Sequence, residues 1–415
     1  MFVVIRNTPR DYAWGSALHI AAFLGTEPSG GPEAELWLGA HPGSPARIDD
    51  PAAVGGARDL GEWIAADPAR ALGPELASRG ARLPFLLKLL AAAGPLSLQA
   101  HPTPEQAEAG FAREEAAGIA IDAYDRNYKD TFHKPELIVA LSETLDALSG
   151  FRPVEEVRGV LAALREADAA DPEPELGALD LLEEHLQGGR GIEATVEWLL
   201  RDGRGGDTGE ASWVIERVVR LAGSEVAQRS PFALSFATVR MLAESYPGDP
   251  GIVISLLLNR VRLVRGEALY LRAGNIHAYL GGLGIELMAS SDNVLRGGLT
   301  PKHIDVDELL DVLDVTPMPA PRLAPETASD GVLTFRPDVS DFVLHRAEPG
   351  TASSRIALTG PAIVLAERDE VRLEGAHGEV VLPRGGSVYV TPDEGALTIT
   401  GAGVAWVATT GRPVS

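Results

Sequence analysis

Cysteine is absent from the 415 residues of this chain. Its absence excludes disulfides, thiolate zinc sites, iron–sulfur clusters and cysteine nucleophiles. No apolar run approaches the length needed to cross a bilayer, and the apolar stretch in residues 1–6 is too short for a signal peptide. We therefore expect a soluble, cytoplasmic protein that does not act at a membrane.

Positive charge is also scarce. Basic side chains number 36 against 59 acidic ones, which gives a net charge of −23. Such a surface repels nucleic acids and anionic lipids, so neither is expected as a partner. Lysine occurs only at positions 88, 129, 134 and 302, and arginine supplies the other cations. Because lysine is a compact cation whose pKa shifts readily, we expect these four positions to include sites where arginine will not serve.

The composition is that of a globular chain, with 45% hydrophobic residues, and its length suits two or three domains. Short strands are predicted near both ends, and helical periodicity is predicted from Val154 onward. We predict a mainly β protein with an inserted all-helical domain. The predicted domains are a catalytic β domain (residues 1–150 and 246–316), the helical domain (151–245) and a C-terminal domain (317–415) that forms an antiparallel sandwich or jelly roll.

Local patterns predict several individual elements. A helix is expected after His101, with Thr103 as N-cap, Pro104 at the first helical position and Gln106 completing a capping box. Further predictions are helical structure over residues 58–79, a strand at 252–256 and a short helix at 305–314.

The segment 96–102 carries the first chemical signal. Strand alternation places Ser97, Gln99 and His101 on one face, opposite leucines. Imidazole nitrogen and amide oxygen are credible ligands for a divalent metal. The alternative is a hydrogen-bonded polar cluster beside a turn.

A second polar cluster directly precedes the apolar run 137–141. His133, Lys134 and Glu136 fall within four positions, and Pro135 stiffens the backbone between them. A charged loop capping a strand would have the same composition, so both interpretations stay open.

Two later segments add further candidates. His277 and Tyr279 share one face of a predicted strand, and His277 gains weight as a ligand if it meets Gln99, His101 and Glu136 in space. Those four would offer two nitrogens and two oxygens, a plausible set for zinc. The segment 284–302 contains four charged candidates and a glycine pair, and its cations suggest an anionic ligand. The four are Glu286, Asp292, Arg296 and Lys302.

These motifs resemble those of the type I mannose-6-phosphate isomerases (phosphomannose isomerases), a zinc-dependent family of the cupin superfamily. The matching blocks cover residues 10–315 and include Gln-Ala-His-Pro at 99–102, His-Lys-Pro-Glu at 133–136 and Ser-Asp-Asn-Val-x-Arg-x-Gly-Leu-Thr-Pro-Lys at 291–302. Further matches are Tyr-Ala-Trp-Gly at 12–15, the block at 34–42 and Pro-Phe-Leu-Leu-Lys at 84–88.

The resemblance implies two cupin or jelly-roll domains with the helical domain inserted in the first. It implies one zinc ion per chain, held by Gln99, His101, Glu136 and His277, and a phosphorylated hexose as substrate. It places Arg296 in the active site, with Lys88, Lys134, Ser97, Glu286, Asp292 and Tyr279 near it. The implied reaction interconverts mannose 6-phosphate and fructose 6-phosphate through a cis-enediol, and a monomer is expected.

Several assignments remain open at this stage. Glu286, His133 and Lys134 are candidates for the general base, with Glu286 ranked first, although a salt bridge to Arg296 or a lysine is an equal alternative for it. Lys88, Lys134 and Lys302 are candidates for phosphate contact. The alternative functions are a non-catalytic sugar-binding cupin and an iron-dependent cupin oxygenase, which metal analysis would distinguish.

The chain departs from the family pattern at two positions. Phe132 stands where asparagine is expected, and Arg272 stands where proline is frequent. Phe132 is expected to alter the wall of the pocket and, with it, the substrate range.

Overall fold

The structure is a computed structural model that describes residues 1–204, 208–327 and 331–411. Within this part of the chain, no helix combines the length and apolar character needed to cross a membrane. Helices fill the middle of the chain, and strands dominate both ends.

The described strands, in chain order, are β1 (Phe2–Arg6), β2 (Glu35–Leu38), β3 (Arg47–Ile48), β4 (Phe85–Ala92), β5 (Leu98–Ala100), β6 (Glu136–Ala140), β7 (Thr144–Phe151), β8 (Leu258–Val264), β9 (Ala268–Leu271), β10 (His277–Ala289), β11 (Leu295–Gly298), β12 (Glu326–Thr327), β13 (Val332–Phe335), β14 (Val343–Ala347), β15 (Ser354–Ala357), β16 (Ala362–Arg368), β17 (Val371–Glu374), β18 (Glu379–Leu382), β19 (Ser387–Val390), β20 (Ala396–Thr400) and β21 (Val404–Thr409).

The described α-helices are α1 (His19–Leu24), α2 (Leu60–Ala66), α3 (Pro68–Leu72), α4 (Pro74–Ser78), α5 (Pro104–Ala116), α6 (Val154–Ala169), α7 (Leu176–His185), α8 (Gly191–Asp202), α9 (Glu210–Ala222), α10 (Glu225–Arg229), α11 (Ala233–Ser245), α12 (Gly251–Leu257) and α13 (Val306–Val312).

Some local predictions are confirmed and others are wrong. Helix α5 has the predicted capping box, in which Thr103 and Gln106 satisfy each other's backbone N–H groups. The helical structure predicted over 58–79 is divided into α2, α3 and α4, because prolines begin α3 and α4. The strand predicted at 252–256 lies in α12 instead, where every residue is buried. An apolar run that is buried on all sides has no period by which a strand and a helix can be distinguished.

Two antiparallel sheets share the long strand β10. The first half of β10 belongs to a sheet with the order β11-β5-β10-β7-β8, and the second half to a sheet with the order β2-β4-β10-β6-β9. Both sheets contribute residues to one cavity. Segments that are distant in sequence therefore meet around β10.

The change of sheet within β10 occurs at Gly281 and Gly282: Gly281 is the last residue paired with β7, after a register shift that follows Tyr279, and Gly282 is the first paired with β4. Gly282 has a φ of +112°, and a Cβ atom there would lie 2.6 Å from the carbonyl oxygen of Thr144. Only glycine adopts this backbone conformation without strain. The bend sets the two halves of β10 in different sheets.

The C-terminal strands form an eight-stranded sheet and a four-stranded sheet. The eight-stranded sheet also contains β1 and β3, with Val3 opposite Tyr389 on β19. Residues 2–6 and 47–48, predicted to belong to the catalytic domain, are thus part of the C-terminal sheet. Alternate residues of β1, Val3 and Ile5, are buried in a core that also includes Leu87 from β4 and Trp406 from β21. The remaining domain boundaries stay a prediction.

The helical region is packed onto the outer side of the β11-containing sheet. Apolar residues of α6 to α12 form one continuous core with Leu98, Ile276 and Leu295 from the sheet region. This core joins the inserted helices to the strands that carry the candidate site.

Candidate metal centre and cavity

Three predicted ligands meet at one point. His101 directly follows β5, Glu136 begins β6 and His277 begins β10, and one ligand atom from each lies within 4.8 Å of the others. Strand β10 connects the strands that carry them, since it pairs with β5 at His277 and with β6 at Met288, opposite Glu136, on either side of its bend. All three residues are at most 2% exposed.

The imidazole rings are oriented for metal binding. Nδ1 of His101 lies 2.8 Å from the carbonyl oxygen of Asn293, and Nδ1 of His277 lies 3.0 Å from that of Asn275. A carbonyl only accepts, so both Nδ1 atoms carry the proton and donate it, and each Nε2 presents its lone pair. Such a second hydrogen bond is typical of metal-ligating histidines.

The atoms that face the shared point are buried but unsatisfied. Both Nε2 atoms and Oε2 of Glu136 have no hydrogen-bond partner within the described part of the chain. The Glu136 oxygens lie 3.2 Å from Nε2 of His101 and 3.3 Å from Nε2 of His277, without hydrogen-bond geometry. Buried polar atoms are rarely left unpaired, and a bound cation would satisfy all three together.

The electrostatics favour the protonation states that metal binding needs. Burial, assisted by the charge of Lys134, lowers the pKa of His101 to about 4, so its ring is neutral. Burial alone would raise the pKa of Glu136, but Lys134 and His101 hold it well below its ordinary value. Lys134 Nζ lies 3.0 Å from Oε1 of Glu136. The group therefore offers two neutral nitrogens and one carboxylate.

Gln99 occupies the position predicted for a fourth ligand. It is paired with His277 on β10 on one side and with Arg296 on β11 on the other. Gln99 and Glu136 both line a cavity of about 890 Å³, whereas His101 and His277 lie behind its described lining. Gln99 therefore reaches the cavity beside one of the three donors.

A buried ion pair lies in the wall of this cavity. Lys88 Nζ is 3.1 Å from Oε2 of Glu286 and 3.7 Å from Oε1 of Glu35. Burial opposes the charge of Lys88, but Glu35 and Glu286 raise its pKa above the ordinary value. Burial raises the pKa of Glu286, which Lys88 partly offsets. The salt bridge predicted for Glu286, to Arg296 or to a lysine, is thus formed with Lys88.

Three other predicted residues also line the cavity. Burial, together with Glu286, raises the pKa of Tyr279, so its hydroxyl stays protonated. Asp292 lies at the mouth with its Oδ1 3.3 Å from Nε2 of His41. Burial would raise the pKa of Asp292, but the bond from His41 lowers it. Ser97 lines the same cavity.

Arg296 and Lys302 form a cationic part of the cavity wall. Within the described ranges, neither has a carboxylate at ion-pair distance, whereas Lys88 and Lys134 both do. Burial lowers the pKa of Arg296 and of Lys302, and the neighbouring Arg296 charge lowers that of Lys302 further. Two close cations without a counter-ion favour an anionic ligand.

Two predictions about this region are corrected by the structure. His133 is not among the described residues that line the cavity; its Nε2 lies 3.0 Å from Oδ2 of Asp341 in the C-terminal region. Phe132 does not form the pocket wall either, because its ring packs under the guanidinium of Arg82 at 3.6 Å. The contact with Asp341 orients the His133 side chain toward the C-terminal region, and Arg82 covers the Phe132 ring.

Sequence reasoning did not assign a role to Asn293, which holds the site together. Its Oδ1 accepts from the N–H groups of Lys129 and Asp130, and its Nδ2 donates to the carbonyls of Asp130 and Phe132. Its own carbonyl accepts from His101. The Ser-Asp-Asn motif was the available signal, but the motif does not reveal which amide faces inward.

Glu35 and Trp37 were also not assigned. Trp37 Nε1 donates to Oε2 of Glu35 at 3.0 Å, and the Trp37 ring lies 5.1 Å from Lys88 Nζ. Both residues lie on β2, directly beside Lys88 on β4. Their position next to Lys88 follows from strand register, which the sequence does not specify.

An antiparallel β protein in which two buried histidines meet a carboxylate that lines a polar cavity is of the class of metal-dependent enzymes. A family model described as "Phosphomannose isomerase type I, catalytic domain" matches residues 2–154. The mannose-6-phosphate isomerase of Escherichia coli (strain K12) is 37% identical over 402 residues, covering 96% of each chain. That of Rattus norvegicus is 34% identical, covering 94% of this chain and 93% of the relative.

Solved structures agree with the sequence relatives. An alanine mutant of phosphomannose isomerase from Salmonella typhimurium superposes with a TM-score of 0.86 at 34% identity, covering 99% of both chains. A zinc-bound mannose 6-phosphate isomerase superposes with a TM-score of 0.85 over 99% of both chains. The chain belongs to the type I phosphomannose isomerase family.

Proposed function

We propose that this enzyme interconverts mannose 6-phosphate and fructose 6-phosphate with the help of one zinc ion per chain. The observation that carries the proposal is the convergence of three buried, unsatisfied donors, one of which, Glu136, lines a cavity with a cationic wall. Relatives named mannose-6-phosphate isomerase and a zinc-bound relative support the choice of substrate and metal.

The proposed zinc ligands are Gln99, His101, Glu136 and His277. The donor set of two imidazoles, a carboxylate and an amide oxygen suits zinc, and the cavity leaves room for substrate beside it. Zinc bound there would polarise the sugar oxygens and stabilise the charge of an enediolate.

Proton transfer is assigned to residues of the cavity wall that lie near the proposed ligands. An aldose–ketose isomerisation through a cis-enediol removes the proton on C2 of the aldose and delivers a proton to C1, while a hydroxyl proton moves between O1 and O2. Glu286 is the proposed base, because its raised pKa brings it closer to neutral pH and Lys88 at 3.1 Å can share its proton. Lys134 is the remaining candidate, and its contact with Glu136 keeps it near the same oxygens. Tyr279 and Asp292 would orient sugar hydroxyls, with Ser97 as a further contact.

The phosphate is proposed to contact Arg296 and Lys302. These cations have no described carboxylate partner, whereas Lys88 and Lys134 are occupied by carboxylates. Arginine also matches phosphate geometry with two parallel hydrogen bonds. Arg296 on β11 is paired with Gln99 on β5. Because Gln99 is a proposed zinc ligand, Arg296 would lie near the sugar as well as the phosphate.

The test is conversion of mannose 6-phosphate to fructose 6-phosphate before and after chelation, with zinc added back. We expect activity that disappears on chelation and returns with zinc. Unphosphorylated mannose serves as the matched substrate and is expected to react at least about 100-fold more slowly in kcat/KM, because it lacks the phosphate contacts. A folded, zinc-loaded sample without activity on mannose 6-phosphate would overturn the proposal.

A further inference from the structure

The loop between β13 and β14, residues 336–342, contacts the segment that carries two site residues. Oδ2 of Asp341 lies 3.0 Å from Nε2 of His133, and their side chains are only 15% and 23% exposed. His133 immediately precedes Lys134 and stands three positions before Glu136. A residue of the C-terminal region is thus bonded to the backbone segment that enters the cavity.

The same loop makes a second contact beside Glu136. Asp338 faces Tyr270: burial, followed by the Asp338 carboxylate, raises the pKa of that tyrosine. Tyr270 lies on β9, where its neighbour Leu271 pairs with Glu136. The loop therefore contacts the 127–135 segment, which leads into Glu136, and strand β9, which pairs with Glu136.

The 127–135 segment depends on such contacts. It contains no strand or helix, so no ladder of backbone hydrogen bonds defines its path. Asn293 and Ser291 hold it from the cavity side through the backbone and side chain of Asp130. From the opposite side it is held by Asp341 and by Arg82, which packs on Phe132.

We propose that Asp341 is a positioning residue: through His133 it holds Lys134 and Glu136 in the orientation that binds zinc and substrate. The inference rests on the proposed function and gives the C-terminal region a role in the site. It also gives His133 the role of a tether.

The experiment compares Asp341→Asn with a matched control in the full-length protein. Asp341→Asn keeps the size of the side chain and removes its charge. The control is Arg265→Gln, which breaks Arg265–Glu367, another ion pair at 3.1 Å that joins the C-terminal sheet to the catalytic sheets but lies away from the cavity. Two properties are measured for each variant. Zinc affinity is determined by competition with a chromophoric chelator, and kcat and KM with mannose 6-phosphate.

We expect Asp341→Asn to weaken zinc binding and to lower kcat by about tenfold each, with KM changed less than about twofold, because a looser His133 segment lets Glu136 and Lys134 move; about tenfold is the lower end of the effects of residues that orient metal ligands directly. Asp341→Glu, which keeps the negative charge, should retain most of the wild-type zinc affinity and kcat. His133→Gln should reproduce the losses of Asp341→Asn, and the double variant should be no worse than either single one, because both weaken the same contact. Arg265→Gln should keep the wild-type zinc affinity and kcat.

The inference is overturned if Asp341→Asn and His133→Gln both match Arg265→Gln in zinc affinity and kcat. His133→Gln tests the same contact if Asp341→Asn does not fold. Zinc affinity is measured without substrate, so this arm decides the role of Asp341 even if the wild-type enzyme does not isomerise mannose 6-phosphate.

Discussion

Glu286 and Lys88 are buried together on neighbouring strands, and each changes what the other can do. A fully buried carboxylate without a partner would be neutral, and a buried ammonium without one would lose its proton. At 3.1 Å the two groups stabilise each other as an ion pair, while the second carboxylate, Glu35, adds negative charge to the cluster. Burial and the neighbouring negative charge raise the pKa of Glu286 even beside Lys88, which brings this carboxylate closer to the pKa that suits a group that takes and returns a proton near neutral pH.

We predict that Glu286→Gln lowers kcat by about 10²–10⁴-fold, the usual contribution of a general base. Glutamine keeps the shape and can still accept from Lys88, but it cannot take a proton. Zinc content, measured by metal analysis, is expected to stay at one per chain because Glu286 is not a proposed ligand. Steady-state kinetics with mannose 6-phosphate measure the effect.

Glu35→Gln is the matched control for this variant, because Glu35 also contacts Lys88 but at 3.7 Å. Its effect on kcat is expected to stay within about tenfold, reflecting only the altered charge around Lys88. Equal losses in the two variants would mean that Glu286 acts through Lys88 and not as the base.

Residue types and spacing singled out His101, Glu136 and His277 as a plausible metal set with Gln99 but left structural alternatives open, and the family resemblance supplied the ligand assignment. His101, Glu136 and His277 do meet in the structure. His133 has the same chemistry as the other candidates, but its side chain points toward Asp341, more than 200 positions away. That contact depends on how the C-terminal sheet packs, and no local pattern contains it.

Strand β10 is the element that assembles the site. His277 and Tyr279 lie in its first half, and Glu286 lies in its second half, which belongs to the other sheet. The bend at Gly281 and Gly282 sets the angle between the halves and so the position of Glu286 relative to His277. The sequence predicted strands here, but a single strand shared by two sheets follows from pairing with β4, β5, β6 and β7, which periodicity cannot supply.

We predict that Gly282→Ala destabilises the protein by about 1–3 kcal/mol, since alanine is strained at a φ of +112° and its Cβ would meet the Thr144 carbonyl. Gly281→Ala is the matched control. A Cβ at Gly281 meets nothing within 4 Å, so this change is expected to stay within about 0.5 kcal/mol. Urea unfolding of both variants measures the difference. Equal stabilities would show that the bend at residues 281–282 does not require glycine.

At the scale of the whole molecule, the C-terminal and catalytic sheets share one core. Val3, Phe85, Leu137 and Trp406, which come from both ends of the chain, belong to the same buried cluster. The sequence predicted separate β domains because its strand-rich segments are separated by a helical region and a proline-rich segment. It could not predict that β1 crosses to the C-terminal sheet, since pairing partners nearly 400 residues apart leave no local signal. The shared core makes joint, cooperative unfolding the expected behaviour.

A buried histidine in the C-terminal sheet makes this joint stability depend on pH. His345 on β14 is 8% exposed, and its Nδ1 lies 2.9 Å from Oγ1 of Thr334 on β13. Burial, assisted by Arg336, lowers the pKa of His345 from 6.5 to about 4. Between these values the unfolded chain binds a proton that the folded chain does not, so the free energy of unfolding falls as the pH falls. The stabilising contribution of the neutral ring is complete above pH 6.5 and is lost as the pH falls toward 4.

We predict that His345→Gln removes part of this pH dependence. The wild-type protein should lose up to about 1.4 kcal/mol per pH unit between pH 6.5 and 4 through this residue, and the variant should not. The difference in unfolding free energy between wild type and variant is therefore expected to change by about 2–3 kcal/mol between pH 7 and pH 4.

Urea titrations at several pH values, with chelator present so that zinc release contributes to neither protein, measure this difference. His377→Gln, at an exposed position, is the control and should keep the wild-type profile. A difference between wild type and His345→Gln that is constant from pH 7 to pH 4 would mean that His345 is protonated in the folded state, with Thr334 and the surrounding sheet accommodating its charge.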